Sequence, residues 1–189
     1  MQQQQKLFPD EAPPFFKKQI PLAEARTVAE ELKKALEPYC FGSMIAGSIR
    51  RRRPVVHDID IVCQPLNFNA LILKLQSMGC SYGGEKLARF IFKEVRVDLY
   101  FAIPETWATL LLIRTGSRES NIRLCSIARG KGLKLHADGS GLFRIDVQGC
   151  EGNEVLIARS SEESIYEALE IPYEEPWERE VVRSSLSDA

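Results

Sequence analysis

The chain has 189 residues, 44% of them hydrophobic and 27% charged, with a net charge of −1. That length buries a sizeable core in one domain or two small ones, and the near-neutral balance excludes a protein that coats nucleic acid through bulk charge alone. No apolar run reaches the length of a membrane span and no signal peptide is visible, so no membrane partner is expected.

Residues 1–20 read as a flexible tail, glutamine-rich at first and then broken by Pro9, Pro13 and Pro14. Pro21 to about Leu36 is predicted as a helix, because Leu22, Ala25, Val28, Ala29, Leu32 and Leu36 fall on one face. A short strand over Ser43–Ala46 leads into AGSIRRRRPVVHDIDIV, Ala46 to Val62. Gly47-Ser48 there reads as a turn offering backbone N–H groups and a hydroxyl to an anion, and Arg50 to Arg53 add positive charge. In an extended strand Asp58 and Asp60 share one face, while Ile59 and Ile61 enter the core. A phosphate-binding turn beside paired carboxylates points to metal-dependent chemistry on a nucleoside triphosphate.

Asn67 to Met78 reads as a second helix, with Asn67 as N-cap and Gly79 as its stop. Leu87–Phe92 and Val95–Ala102 read as antiparallel strands around Lys93-Glu94. The second strand carries Glu94, Arg96 and Asp98 on one face and Val95, Val97 and Leu99 on the other. Asp98 is then either paired with an arginine, its own strand's or a neighbour's, or a third carboxylate facing Asp58 and Asp60.

After Pro104 the composition changes, and a subdomain boundary is expected there. Helical spacing over Glu105–Ile113 is interrupted by Thr115-Gly116-Ser117, followed by a helix over Arg118–Arg129 that Gly130 and Gly132 end. Leu133–His136, Leu142–Asp146 and Glu154–Ala158 alternate as strands of a small sheet. Ser160-Ser161-Glu162-Glu163 is a capping-box pattern opening a short helix to Leu169. The acidic stretch from Glu162 to Glu180 reads as a solvated face, and the residues after Pro176 as a surface segment. Cys40, Cys63, Cys80, Cys125 and Cys150 contain no C-x-x-C pair and read as reduced core thiols of a cytoplasmic protein.

Four motifs in order, GSIRRRRPVVHDIDIV, RVDLY (Arg96–Tyr100), RTGSRESN (Arg114–Asn121) and SSEESIYEALEIPYEEPWERE (Ser160–Glu180), resemble the polymerase-beta-like (family X) DNA polymerases, reduced to palm and thumb. The resemblance implies an α+β fold. Residues 21–104 would be a nucleotidyltransferase palm, a mixed sheet flanked by helices, and residues 105–189 a small α+β thumb. By the same resemblance two Mg²⁺ ions, with Mn²⁺ as a substitute, are held by Asp58, Asp60 and Asp98, the last receiving the primer hydroxyl's proton. Arg96 orients the carboxylates. Gly47, Ser48 and Arg51 hold the triphosphate, Gly116 and Ser117 line the sugar, and Asn121 reaches the base. Arg118 and Arg123 meet DNA phosphates, whereas Arg50, Arg52 and Arg53 form a solvated or DNA-facing run.

The implied activity is addition of dNTPs to a DNA 3′ end in gap filling or end repair, in a prokaryotic or viral setting. The alternatives are a template-independent nucleotidyltransferase acting on another acceptor, or a catalytically weak factor that binds DNA ends. The chain departs from the family at Ile113-Arg114, where an aromatic pair usually packs on the sugar, so relaxed selection between dNTP and rNTP is expected. Cys125 stands where a basic residue commonly touches the template strand, and His57 replaces a small residue. The amino-terminal lyase domain, the helix-hairpin-helix clamps and a carboxy-terminal phosphoesterase domain have no counterpart, so weak DNA binding is expected. Gln4-Gln5-Lys6-Leu7-Phe8 resembles the Gln-x-x-Leu-Phe peptide that docks on sliding clamps, with Gln4, Leu7 and Phe8 as its anchors.

Overall fold

The computed structural model describes residues 18–80, 82–146 and 153–180. Gln4, Leu7, Phe8 and Cys150, with the clamp-docking reading of the first three, lie outside the described residues. The first described element is a two-residue strand, β1 (Ile20–Pro21), which pairs with β3 (Val55–Val56). Ile20 is buried there, so the fold begins before the boundary expected at residue 20. Pro21, extended at ψ 143°, is the N-cap of α1 (Leu22–Leu36), whose Ala25, Ala29, Leu32 and Leu36 form the buried stripe. The strand β2 (Cys40–Ile45) starts earlier than its apolar pattern suggests, because a bulge between Cys40 and Gly42 lets it continue pairing. It leads into a four-residue helix, α2 (Gly47–Arg50), where a turn was expected.

The strand β4 (Ile59–Pro65) carries the Asp-Ile-Asp motif into the sheet. Next, α3 (Phe68–Ser77) is capped by Asn67, whose Oδ1 accepts from the Ala70 N–H at 3.0 Å, and the chain leaves it through Gly79 at φ +85°. The strands β5 (Tyr82–Gly83), β6 (Leu87–Phe92) and β7 (Val95–Phe101) complete a five-stranded mixed sheet in the order β2-β4-β7-β6-β5. Glu94 does not stand on the strand with Arg96 and Asp98. It belongs to the two-residue turn, exposed, where it pairs with Lys18.

Strand alternation divides the sheet into two faces. Ile59, Ile61, Cys63, Val95, Val97, Leu99, Ala88 and Phe90 pack against α1 and α3 to form the larger core. The opposite face is apolar only in part. Ala46, Val62, Tyr100 and Ala102 are covered by Leu110 and Leu111 of α4 (Trp107–Thr115). Nearer the start of β4, the same face carries charge. Beyond α4 come α5 (Arg118–Gly130) and an antiparallel sheet ordered β10 (Asn153–Ala158), β9 (Leu142–Asp146), β8 (Leu133–Leu135), then α6 (Glu162–Ala168). Leu112, Leu124, Ala128, Leu135, Leu142, Ile165, Tyr166 and Leu169 fill a second core there. The architecture is α+β, with mixed sheet and flanking helices, as the sequence implies.

Two acidic expectations fail for one reason. The capping box of α6 is made by Ser161 and Ser164, not by a glutamate, since Ser164 supplies the reciprocal hydroxyl. Glu162 is thereby released to turn inward. It accepts from Arg50 Nη1 at 2.9 Å and Nη2 at 2.7 Å, and from Arg179 Nη1 at 2.7 Å. Arg179, expected on a surface segment, is 0% exposed, and its remaining donors reach the Glu174 carbonyl and the Tyr173 hydroxyl. Burial alone would raise the pKa of Glu162, but hydrogen bonds from Arg50 and Arg179 outweigh it and hold the carboxyl below its ordinary range.

Removing this carboxylate leaves two guanidinium groups without their counter-charge. Glu162→Ala is expected to cost roughly 3–5 kcal/mol in urea unfolding at neutral pH. Because the folded pKa is depressed, this contribution is complete above the ordinary glutamate value. The gap between wild type and Glu162→Gln should therefore close as pH falls below about 4.

Candidate active site

Strand register assembles the site. The strands β4 and β7 are parallel with Asp60 opposite Asp98, and β6 is antiparallel to β7 with Arg89 opposite Asp98. Asp60, Asp98 and Arg89 thus form one cross-sheet row on the face that also carries Val62 and Tyr100, one row nearer the start of β4. The next row along, Val62, Tyr100 and Leu87, is the one α4 covers. A slip of one residue in β7 would exchange Asp98 for Val97 or Leu99 and empty the row.

Each carboxylate meets a different environment. Asp58 is ion-paired with Arg96, whose Nε also lies 3.8 Å from Asp98. Asp98, buried, accepts from Arg89 Nε through both oxygens, at 3.1 and 3.2 Å, and its Oδ2 lies 3.4 Å from the Tyr100 hydroxyl. Asp60 has its pKa pushed up to about 7, first by burial and then by the charges of Asp58 and Asp98, with Arg51 and Arg96 pulling the other way. Tyr100 lies under the Arg114 guanidinium at 4.4 Å, and burial chiefly, with the nearby Asp60 and Asp98, raises its phenol pKa.

Gly47 is buried against this cluster at φ +55°. A side chain there would overlap Asp60, with a Cβ only 2.8 Å from its Cγ, so both backbone and space require glycine. Ser48 follows on α2, and its Oγ is buried without a hydrogen-bond partner.

The arginine run divides its work differently from the expectation of one phosphate ligand and a solvated remainder. Arg50 belongs to the buried network with Glu162 and also donates to Thr115 Oγ1 at 2.7 Å. Arg51 is held by Glu180 and donates to the Thr115 carbonyl at 2.6 Å, so here it faces the C-terminal layer. Arg52 stacks on Trp177, 3.8 Å from the ring centroid. Arg53 is exposed, 3.9 Å from Glu180. These contacts bring the Thr115-Gly116-Ser117 turn against α2.

In that turn Ser117 caps α5, its Oγ accepting from the Ser120 N–H at 3.0 Å, so the hydroxyl is committed to the helix. Asn121 lies so close to Gly116 that a Cβ on the glycine would sit 2.6 Å from its Oδ1. Its Nδ2 donates to the Ile113 carbonyl at 2.8 Å, leaving Oδ1 buried and unpaired. Arg123 is ion-paired with Glu174, and Arg118 is exposed. His57 is exposed, and Cys125 is half-buried.

Sequence reasoning did not assign Arg89, Thr115, Glu162 or Glu180 to the neighbourhood of the site. Arg89 had a signal, since a charge alternating with Ala88 and Phe90 in LARFIF marks a face that is not core. Glu180 had none.

Among the described residues no three Asp, Glu, His or Cys side chains converge into a ready cation cage, and arginines hold Asp58 and Asp98. The donor set nonetheless suits a hard divalent cation. Asp60 and Asp98 share one face of adjacent strands with Asp58 just ahead of β4, and the repulsion of the other two at Asp60 would be relieved by added positive charge.

Residues 110–180 match the family model of the DNA polymerase beta thumb. The whole fold is similar to polymerase beta of Leishmania infantum in a ternary P/T complex, with a TM-score of 0.70 and 21% identity over 86% of this chain and 77% of that one. The chain thus shares the fold of polymerase beta, and residues 110–180 carry the thumb of that polymerase.

The unequal surroundings of the carboxylates give opposite expectations for two isosteric changes. In metal-free buffer at neutral pH, Asp60→Asn should raise the melting temperature by roughly 3 °C, because it removes a repelled charge. Asp98→Asn should lower it, because Arg89 loses its partner. Thermal unfolding in a chelator checks both signs.

Proposed function

We propose that the chain extends DNA 3′ ends with nucleotides, a minimal Mg²⁺-dependent polymerase acting in gap filling or end repair, with residues 21–104 as palm and 105–189 as thumb. The observation that carries this reading is the register-set row of Asp60 and Asp98, with Asp58 beside it. It lies against Gly47-Ser48 and within reach of the thumb turn at Thr115. Bound by Asp58, Asp60 and Asp98, Mg²⁺ or Mn²⁺ would supply the positive charge that phosphoryl transfer needs on the triphosphate and at the attacking oxygen.

The chain's own groups do the rest. Asp98 receives the proton of the primer 3′-hydroxyl on a carboxylate oxygen. Ser48 Oγ, without a hydrogen-bond partner among the described residues, donates to a phosphate oxygen. Gly47 keeps the backbone close to Asp60, so that phosphate and carboxylates share one small volume. Arg51 binds the triphosphate once its guanidinium exchanges Glu180 for phosphate oxygens. Arg118 contributes an exposed charge toward the DNA backbone. Arg123 joins it on leaving Glu174, and with so few phosphates neutralised DNA binding is weak and falls with salt at a shallow slope.

Sugar selection rests on the residues before the thumb turn. Ile113 packs with the C-terminal core, and Arg114 stacks on Tyr100 with its Nε buried and unpaired. Neither supplies an aromatic wall against a 2′-hydroxyl.

Primer extension on recessed and one-nucleotide-gapped DNA tests the reading. Wild type should extend both, and Asp98→Ala should lose at least about a thousandfold in rate. DNA binding without extension by wild type would instead support an accessory factor, and transfer without any DNA primer would support another acceptor. In the same assay rNTPs should be used within about a hundredfold of dNTPs. A much stronger dNTP preference would remove the claim of relaxed selection and leave the polymerase reading intact.

A further inference from the structure

We propose that Arg89 is a built-in counter-ion of Asp98, holding the place of a divalent cation and giving it up when the cation binds. This rests on the reading above only in taking Asp98 as a cation ligand.

Packing does not explain why an arginine stands in the middle of LARFIF. Ala88 and Phe90 enter the core on one face of β6, and Arg89 stands on the other, in the polar row with Asp98. The β6–β7 register sets it directly opposite Asp98, and its Nε sits astride both carboxylate oxygens at 3.1 and 3.2 Å. That is the lone-pair side of the carboxylate, which a cation would also use. The other charged and polar neighbours occupy different positions. Arg96 lies farther away at 3.8 Å and is committed to Asp58, and the Tyr100 hydroxyl approaches Oδ2 alone.

Exposure gives the pair a direction of release. The Asp98 side chain is 5% exposed and fixed in its strand, whereas that of Arg89 is 37% exposed at the mouth of the row. When the two separate, the arginine swings toward water and the carboxylate stays. Without such a counter-ion, a cation-free row would set Asp98 beside Asp60 and Asp58 with Arg96 and the Arg51 that acts on Asp60 to offset three negative charges. Arg89 therefore stabilises the empty site and competes with the cation that fills it.

The experiment uses the full chain, stripped of metal, at low ionic strength and neutral pH. Mn²⁺ is titrated and its binding followed by loss of the free-ion electron paramagnetic resonance signal. Melting temperature is read in chelator and in Mn²⁺, and primer extension is run on the same preparations. Arg89→Gln, which removes the charge and keeps a donor, should bind Mn²⁺ about tenfold more tightly than wild type. It should also melt lower in chelator, and Mn²⁺ should close that gap. Arg89→Lys, which keeps the charge, should stay within about threefold of wild type in affinity. Equal or weaker Mn²⁺ binding by Arg89→Gln, with wild-type extension intact, overturns the counter-ion proposal and leaves the polymerase reading standing. A lower melting temperature in both variants with unchanged Mn²⁺ affinity makes Arg89 purely structural and overturns it as well. Absence of both extension and Mn²⁺ binding in every chain overturns the two readings together.

Discussion

One carboxylate, Glu162, holds the two halves of this molecule in their relation. It sits at the first turn of α6 and takes donors from Arg50 of α2 and from Arg179 near the end of the described chain. Three distant stretches of sequence meet at this carboxylate, and the low exposure of all three partners makes the meeting costly to abandon. A buried ion pair gains little over a well-packed apolar contact, but breaking one side of it is expensive. Its value here is specificity of arrangement. An apolar patch would let α6 slide on α2, whereas a two-oxygen acceptor gripping two guanidiniums has one satisfactory geometry.

The site behind that junction is assembled from groups that work against the stability of the chain. Asp60 is crowded by two like charges, Gly47 adopts a left-handed backbone, and Ser48 Oγ and Asn121 Oδ1 are buried without partners. The crowded charge and the unpaired buried atoms cost free energy in the isolated protein, and the glycine gives up a side chain for close approach. Their concentration within one small region is difficult to explain as packing. It suits a surface that is completed from outside by charge and by hydrogen-bonding atoms, and the surrounding arginines partly compensate until then.

Much of this was legible in the sequence because it rests on short-range pattern. The stripe of α1, the Asn67 cap, the alternation of Asp58, Ile59, Asp60 and Ile61, and the hairpin around residues 93–94 all follow from spacing within a few residues. Asp98 remained open between pairing and function for a reason now visible: it has an arginine from the neighbouring strand and two carboxylates as neighbours. The failures share a cause as well. Arg50, Arg52, Glu162, Arg179 and Glu180 look like ordinary surface charges in one dimension, because their partners lie far away in sequence. Charge runs are usually solvated, and only tertiary contact distinguishes an arginine that closes a domain junction from its neighbour that meets water. Gly47-Ser48 was read as a turn for a related reason, since a four-residue helix leaves almost no periodicity to find.

The Lys93-Glu94 connection has a consequence for how the molecule forms. Both residues stand in the left-handed region, at φ 48° and 62°, with neither glycine nor asparagine to ease it. Two-residue hairpins with good turn residues close early and set their own register. This one has no such head start, so the alignment of β6 with β7 is decided by distant apolar partners on α1 and α3 as the core condenses. The row that brings Asp98 to Arg89 therefore draws its register from those apolar partners more than from the turn itself.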